Sequence, residues 1–373
     1  GRFDTRLSLS SANVDEVIKE RILKKNTTAA QTLRLLYEQK ATIIKNLLVF
    51  NDAVEKKLYA DGQDFADVYP FVPYQFNLLG SVLTSIRTHG ASGKHLSEGE
   101  RSMLALFKES ADRLKAQEQG ALVPFSAFYD ALHQFLDHSH SSVISKAADN
   151  RLINPDGEED CFTVNVLKAL FMIKYVSDIT ANVENITTLM VPSIDADRIA
   201  LKKKVEESLG VLVRQMLVQK NGDLYVFLSD EEQEINREIE NQQVETAEVI
   251  TKAAELIFDD LYKEKKFSYP KFGGRYSFAF NQIVDDRSYK PNQNHDIGVR
   301  VLTPGSGYGE EETTLRMMSG QGKEVLVVLP SDASFLSQLR SALKIEKYLR
   351  LNTVQSLAKF EQIKEAKRIE MRE

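Results

Sequence analysis

The stretch that decides the fold is Leu217 to Leu228 (LVQKNGDLYVFL), in which two short apolar runs flank Asn221-Gly222. Asn-Gly suits a type I′ turn, which needs φ > 0 at both central positions, so the stretch predicts a β-hairpin. A charged helix from Asp197 to about Met216 leads into it, and helical segments at Phe162–Val176 and Asn182–Met190 come before. Three helices followed by a two-stranded wing are typical of a winged helix-turn-helix, a unit that binds DNA or protein and catalyses nothing by itself.

The composition is that of a soluble globular protein with two or three domains: 373 residues, 42% hydrophobic and 27% charged. The formal net charge of −6 excludes general coating of nucleic acid, so any DNA contact must come from a local basic patch. The single cysteine, Cys161, excludes an internal disulfide and fits a reducing cytosol. No apolar run is long enough to span a bilayer, so we predict a cytoplasmic protein without a membrane partner.

We predict a multidomain protein, mainly α with an α+β part. The turn-rich acidic stretch Asp149–Asp160 is the expected linker, and Ser229 with Glu232 is the expected capping box of a long helical region. The predicted parts are a helical lid-like region (1–150), a winged helix (161–228), a long helical connector (229–265), a small α+β domain with a C-terminal helix (266–350) and the start of a helical or coiled-coil segment (351–373).

Within the α+β part the apolar period becomes two, with Tyr276, Phe278 and Phe280 alternating with smaller or polar residues. Further strands are predicted at 297–302, 313–318 and 324–329, and a helix at 334–350. Within the last strand, Leu326–Leu329 is predicted to be buried on both faces. In the helical region, Thr27-Thr28 is the expected cap of a helix over 29–50. The two prolines of Tyr69–Tyr74 predict an extended segment packed by aromatics.

The sequence contains no phosphate-binding loop. The nearest approach, Thr88 to His95, has threonine where the pattern needs its first glycine and histidine where it needs the closing Ser or Thr. We therefore expect no catalytic residue and no cofactor in this chain. Lys94, His95 and Arg101 surround a predicted helix N-terminus, which favours anions. A solvated loop before a capped helix is the alternative.

The predicted third helix of the winged unit carries a set of basic residues. A basic helix of this kind suits the DNA major groove, although Glu206, Glu207 and Asp223 dilute the positive charge. A solvated helix in a protein-packing module explains the pattern equally well. The candidate nucleic-acid-binding residues are Arg198, Lys202, Lys203, Lys204, Arg214 and Lys220.

Two clusters invite a metal hypothesis, namely His133, Asp137, His138 and His140, and Asp285, Asp286, His295 and Asp296. A zinc site usually needs three or four converging ligands, and the first cluster falls near a helix end where histidine is favourable without metal. The second cluster lies in a turn-rich loop, where carboxylates are usually solvated. We predict no metal site, and a metal-dependent nuclease remains an alternative for the α+β domain.

Five segments of the sequence are familiar when taken together, namely Arg2–Ser10, Tyr69–Pro73, His89–Arg101, Asn182–Thr187 and Asn221–Leu228. They resemble the large P-loop ATPase of BREX anti-phage systems, the BrxC/PglY family. The resemblance covers the whole chain as a middle section of that protein. Because the chain begins at Gly1 without an initiator methionine and ends inside a helical pattern, we expect a piece of a longer protein.

The resemblance implies that residues 1–150 are the end of an ATPase core with its helical lid. It makes Arg2, Arg6, Lys94 and Arg101 candidates for sensing nucleotide, and it assigns ATP and Mg²⁺ to the parent protein, whose phosphate loop would precede Gly1. It also implies a bacterial homo-oligomer that acts on phage DNA with other BREX proteins, including a DNA methyltransferase. The chain would then couple nucleotide state to binding of DNA or a partner protein. The alternative is an interaction scaffold without nucleic-acid binding.

Overall fold

The computed structural model describes residues 11–89, 99–136, 138–308, 311–331, 334–351 and 369. Two compact units divide the chain, Gly1–Gln233 (unit 1) and Glu234–Glu373 (unit 2). The predicted class, mainly α with an α+β part, is confirmed. Every helix in the described part of the chain is too short or too polar to cross a lipid bilayer.

In the residues of unit 1 that the structure describes, the regular elements are helices and one hairpin, β1 and β2, near the end of the unit. The elements that lie wholly within it are α1 (Ser11–Arg21), α2 (Thr27–Leu47), α3 (Gly62–Val68), α4 (Tyr74–Thr88), α5 (Gly99–Asp112), α6 (Ala127–Leu132), a 3₁₀ turn (His133–Phe135), α7 (His138–Asp149), α8 (Phe162–Ile173), α9 (Val183–Leu189), α10 (Arg198–Arg214), β1 (Val218–Asn221) and β2 (Leu224–Phe227).

One hydrophobic core extends through unit 1, from Val14 to Phe227. The predicted linker at 149–160 lies inside this unit and contributes Ile153 to that core. The buried Asn154 side chain folds the linker residues into a turn, donating to the carbonyls of Ala148 (3.0 Å) and Glu158 (2.9 Å) and accepting from the Glu158 amide (2.9 Å). The stretch is therefore a structured turn, and its prediction as a linker is wrong because turn-forming residues also occur within domains.

The Tyr69–Tyr74 segment is a tight turn between α3 and α4, and the prediction of an extended segment is wrong. The Phe71 amide donates to the carbonyl of Val68 at 3.0 Å, which bends the chain directly after α3. The predicted aromatic packing is present: the fully buried Phe71 ring lies 4.7 Å from Phe107 and 5.6 Å from Phe128, centroid to centroid. Burial of this ring, worth about 2 kcal/mol, fixes the turn.

Helix α2 begins one residue after Asn26, whose side chain accepts a hydrogen bond from the Ala29 amide at 2.8 Å. The prediction of Thr27-Thr28 as the cap is therefore wrong by one residue, since asparagine at this position already satisfies the free N–H group. The predicted capping box of Ser229 and Glu232 is confirmed: the Ser229 amide donates to Glu232 Oε2 at 2.8 Å, and the Glu232 amide donates to Ser229 Oγ at 3.3 Å.

The predicted hairpin is confirmed, but its turn lies one residue later than expected. Asn221 pairs with Leu224, so Gly222 and Asp223 are the central residues. Gly222 has φ 57°, and Asp223 is not among the described residues with positive φ. A glycine with φ > 0 at the first central position is characteristic of type II′, so the type I′ prediction is wrong. Glycine takes the left-handed position because it has no Cβ to clash there.

Unit 2 contains a four-stranded sheet and a separate hairpin, and α11 (Asp230–Glu240) contains the boundary between the units. The sheet order is β6-β5-β7-β8, with β5, β7 and β8 parallel and β6 antiparallel; β3 and β4 form the hairpin. The elements are α12 (Thr246–Glu255), a π-helical turn (Leu256–Leu261), β3 (Lys266–Tyr269), a 3₁₀ turn (Lys271–Gly274), β4 (Tyr276–Ala279), β5 (Asn281–Val284), β6 (Arg287–Ser288), β7 (Gly298–Leu302), α13 (Glu312–Gly322), β8 (Glu324–Val328) and α14 (Ser334–Leu351).

Two small cores hold unit 2. Helix α12 and the π-helical turn place Ile250 and Phe258 against Val284 and Val301 of the sheet. The second core joins α11 to α14 and consists of Ile235, Ile239, Ile345 and Tyr348. The predicted helical region after Ser229 is therefore two helices, with α12 opened by its own capping box, Glu245 with Glu248.

Two strand predictions in unit 2 need correction. The predicted strand at 313–318 is part of helix α13, whose first turn carries Glu312 and whose Arg316 bonds that carboxylate at 2.6 Å. An i, i+4 ion pair and an acidic first turn favour a helix over the predicted strand. Strand β8 is present, but Leu326–Leu329 is not buried on both faces: Val327 is 41% and Val328 49% exposed. Among the described residues β8 is the last strand of the sheet, and the core helix packs on β5 and β7.

Candidate functional site

The predicted nucleotide-sensing residues are not brought together by the described structure. Arg2, Arg6 and Lys94 lie outside the described residues. Arg101 lies in the first turn of α5, where a cation opposes the helix dipole. Their role in sensing nucleotide stays a prediction.

The basic helix α10 starts at a well-formed cap. The Asp197 side chain accepts hydrogen bonds from the amides of Ile199 (2.9 Å) and Ala200 (3.1 Å), which satisfies two free N–H groups of the first turn. One side of the helix is packed in the core of unit 1 through Leu201, Val205, Ser208, Leu209 and Leu212. The opposite side is exposed and carries Ile199, Lys203, Lys204, Glu206, Glu207 and Arg214.

Arg198 is a structural clamp within unit 1. Its Nη1 donates to the carbonyl of Leu47 at 2.7 Å, at the end of α2, and to Thr188 Oγ1 at 3.0 Å. Its Nη2 donates to Glu184 Oε2 at 3.0 Å and to the Glu184 carbonyl at 3.2 Å. The side chain is 19% exposed. The guanidinium therefore joins three segments: the end of α2, the short helix α9 and the start of α10.

Glu184 is the residue that sequence reasoning missed. Its carboxylate binds Arg198 and also Lys202, one turn further along α10. The hydrogen bond from Lys202, together with that from Arg198, lowers the pKa of Glu184, and Glu184 in turn raises the pKa of Lys202. A carboxylate in the first turn of a short helix, preceded by a capping asparagine, was the available signal. It predicts a fixed anion close to the neighbouring helix start.

The rest of the Asn182–Thr187 motif binds the segment that follows α2. Asn185 is fully buried; its Oδ1 accepts from the Asn51 amide at 2.7 Å, and its Nδ2 donates to the carbonyl of Thr180 at 2.8 Å. Thr188 donates to the carbonyl of Val49. Buried amide and hydroxyl groups that are fully satisfied fix a unique geometry. The motif thus holds the end of α2 against α9, and Arg198 extends this connection to α10.

The other cations of the predicted set lie at the surface. Lys204 Nζ lies 4.3 Å from the centroid of the Phe162 ring on α8, and Lys220 Nζ lies 5.7 Å from that of Tyr225 on β2. Lys203 and Arg214 are eleven residues apart, which places them on one stripe of the helix. The Arg214 guanidinium lies beside Gly210, where an added Cβ would lie 3.4 Å from Nη1. Four exposed cations therefore accompany the helix and the hairpin.

The histidines are used in hydrogen bonds within unit 1. His133 Nδ1 lies 2.6 Å from the carbonyl of Asp130, and the buried His140 places Nε2 3.2 Å from the hydroxyl of Tyr175. Asp137 lies outside the described residues. In the parts of the chain that the structure describes, no group of three His, Cys, Asp or Glu residues could hold a metal ion.

Asp285 is buried, so the expectation of a solvated loop carboxylate is wrong. It accepts hydrogen bonds from the Thr303 amide (2.7 Å) and the Thr303 hydroxyl (2.8 Å), one on each oxygen. The neighbouring Asp286 accepts from Arg300 at 3.3 Å and from Tyr308 at 2.6 Å. These carboxylates join the ends of β5 and β7, because the loop after a parallel strand lies next to the end of its neighbour.

Comparison with protein families identifies unit 2. Residues 242–373 match the model described as BREX ATP-binding protein BrxC 4th domain with six-stranded beta sheet. Six strands, β3 to β8, lie in this region, in a sheet of four and a hairpin of two. Comparison with solved structures gave no match. The resemblance seen in the sequence is therefore confirmed by this region, and the match of residues 242–373 supports a fragment of a BrxC-family BREX protein.

Proposed function

We propose that this chain couples the nucleotide state of a BREX ATPase to DNA binding, with α10 and the β1–β2 hairpin as the DNA-contacting surface. The observation that supports this proposal is the hydrogen bond from Arg198 to the Leu47 carbonyl, which connects the start of α10 to the end of α2. By resemblance, the segment before α1 ends an ATPase core. A shift of α2 driven by nucleotide would then reach α10 directly.

In this proposal the predicted basic residues divide into two groups. Arg198 and Lys202 hold α10 in place through Glu184. Lys203, Lys204, Arg214 and Lys220 contact phosphates, since each is exposed. Phosphate contacts of this kind fix the position of a protein on DNA and make its affinity depend on salt.

The role that we assign to nucleotide rests on the family resemblance alone. ATP and Mg²⁺ need a phosphate-binding loop, which this sequence does not contain. We therefore assign no nucleotide step to a residue of this chain beyond a sensing role for Arg2, Arg6, Lys94 and Arg101. The proposed contribution of the chain is mechanical: it transmits a change in the ATPase core to the DNA-contacting helix.

The test is duplex binding by the full chain, measured by fluorescence anisotropy over a range of salt. The triple variant Lys203→Gln, Lys204→Gln and Arg214→Gln should bind more weakly and should reduce the slope of log affinity against log salt by about two to three. The matched control replaces three exposed lysines elsewhere in unit 1, Lys24, Lys45 and Lys115, with glutamine and should leave the slope unchanged. Equal slopes for the two variants, or no duplex binding by wild type at low salt, would refute the proposal.

A second candidate function is a protein-binding scaffold, and one observation favours it. Ile199, in the first turn of α10, is 84% exposed. An apolar side chain at the end of a helix is well placed for burial by a partner protein. Ile199→Ser separates the two functions: it should weaken binding to another BREX protein if α10 docks protein, and should leave duplex affinity unchanged if the cations carry binding.

A further inference from the structure

The β3–β4 hairpin of unit 2 presents an aromatic face to solvent. Phe267 pairs with Phe278 and Tyr269 pairs with Tyr276. Directly paired residues of antiparallel strands project from the same face, and so do residues two apart on one strand. The four rings therefore share one face, while Lys266, Ser268, Ser277 and Ala279 share the other. The rings are between 37% and 51% exposed.

Among the described residues, this aromatic face is not part of a hydrophobic core of unit 2, although Phe267 also lines an apolar cavity with Phe280 and Val327. No residue of either strand is buried, and the four rings are absent from both of the unit's core clusters among the described residues. Four large rings exposed on one hairpin form an apolar patch in contact with water, which is unfavourable. A two-stranded hairpin is also only marginally stable in water by itself. A ligand that covers the rings would offset that cost.

The same segment is strongly basic in an acidic protein. Between Lys263 and Phe280 it contains Lys263, Lys265, Lys266, Lys271 and Arg275 against the single acid Glu264, whereas the whole chain has a net charge of −6. All five cations are exposed. Positive charge of this density close to an aromatic face complements a polyanion that also has flat apolar surfaces.

We propose that the β3–β4 hairpin binds single-stranded nucleic acid. Bases stack on the Phe267, Phe278, Tyr269 and Tyr276 rings. Phosphates contact Lys263, Lys265, Lys271 and Arg275, which lie before β3 and between the two strands, whereas Lys266 projects from the opposite face. The two ring pairs are spaced by two residues, about 7 Å along the strands, so they present two successive stacking positions. Sequence preference is weak in this arrangement because every base has a π-face.

Two other occupants fit less well. Duplex DNA would satisfy the cations but hides its bases in the stack, so it would leave the four rings uncovered. An apolar peptide would cover the rings but would not need five cations beside them. The hairpin site lies on unit 2 and is independent of the duplex-binding surface proposed on α10.

The test uses the full chain carrying Lys203→Gln, Lys204→Gln and Arg214→Gln, so that the α10 surface cannot supply the signal. Binding of a labelled oligothymidylate of about 16 nucleotides is measured by fluorescence anisotropy at low salt, with the matching duplex as competitor. The test variants are Phe267→Ala with Phe278→Ala, and Tyr269→Ala with Tyr276→Ala. The matched controls are Tyr269→Phe with Tyr276→Phe, which keeps the rings, and Met317→Ala, an exposed apolar residue of unit 2 outside the hairpin.

The single strand should bind more tightly than the duplex, and each alanine pair should weaken it roughly fivefold or more for every stacked base lost. The phenylalanine pair and Met317→Ala should bind like the parent. Thermal denaturation should show unchanged folding, because the substituted rings are exposed. Equal binding by the alanine pairs, preference for the duplex, or no binding at low salt would overturn the proposal. So would binding of another BREX protein through these rings in place of the oligonucleotide.

Discussion

Replacing Arg198 with methionine should destabilise unit 1 by about 3 kcal/mol, although a surface arginine on a basic helix would normally cost less than about 0.5 kcal/mol. Methionine keeps the length and the apolar stem and removes the guanidinium. The Leu47 carbonyl then loses its charged donor, and Lys202 is the ion-pair partner that Glu184 keeps among the described residues.

The magnitude follows from the contacts. A hydrogen bond to a charged group contributes about 1.5–3 kcal/mol, and Arg198 makes several that share one side chain and are not additive. The Glu184 side chain is 35% exposed, so water replaces part of what its carboxylate loses. The cost is therefore close to that of one or two charged hydrogen bonds and below that of a fully buried ion pair.

Hydrogen exchange measured by mass spectrometry suits this prediction, because a chain with two compact units has no single free energy of unfolding. Peptides covering 44–51 and 182–200 should lose protection by roughly a hundredfold in Arg198→Met, which corresponds to about 3 kcal/mol at tenfold per 1.4 kcal/mol. Lys203→Met, an exposed neighbour, is the control and should leave both peptides unchanged. Unchanged protection in Arg198→Met would show that the guanidinium does not hold the three segments together.

Two further predictions concern the backbone and pH. Burial lowers the pKa of Lys25 to about 8, so between pH 8 and 10.5 the folded protein has released a proton that the unfolded chain keeps, and the stability of unit 1 rises with pH. In hydrogen exchange of peptides covering 18–33, wild type should gain about 1–2 kcal/mol over Lys25→Met between pH 7 and 9.5, and a constant difference would contradict the assignment. Met216 follows α10 at φ 59°, a conformation that β-branched residues avoid, so Met216→Ile should be about 1–2 kcal/mol less stable than the isomeric Met216→Leu. Equal hydrogen-exchange protection of peptides covering 209–220 in the two variants would argue against strain at this position.

Turns and helix caps were predictable from the sequence where one or two neighbouring residues determine them. The hairpin after α10 was predictable from Asn221-Gly222. The observed turn lies one residue later than the predicted one, because the pairing of the two strands, which joins Val218 to Phe227, sets the register. The capping box of Ser229 and Glu232 was found at its predicted residues, because both partners lie within one turn. Boundaries set by such short-range bonds can be read without knowledge of the fold.

Long-range contacts were not predictable in the same way. Arg198 looked like a DNA contact because its sequence neighbours are lysines, and only the fold brings the Leu47 carbonyl to it. Leu326 to Leu329 looked doubly buried because a run of apolar residues does not reveal whether a strand is central or last in its sheet. The helix at 312–322 was missed because no side chain of it is buried, which leaves no apolar period to detect.

The position of β8 as the last strand has a consequence for how concentrated this protein can become. Among the described residues no strand pairs with its outer row of backbone groups, beside the exposed Val325, Val327 and Val328, so another extended chain can pair there. Electrostatic repulsion from a net charge of −6 acts over about 8 Å at physiological ionic strength and opposes such pairing only weakly once two edges meet. Colloidal stability of this protein is therefore governed by whatever covers that edge, and much less by its overall charge.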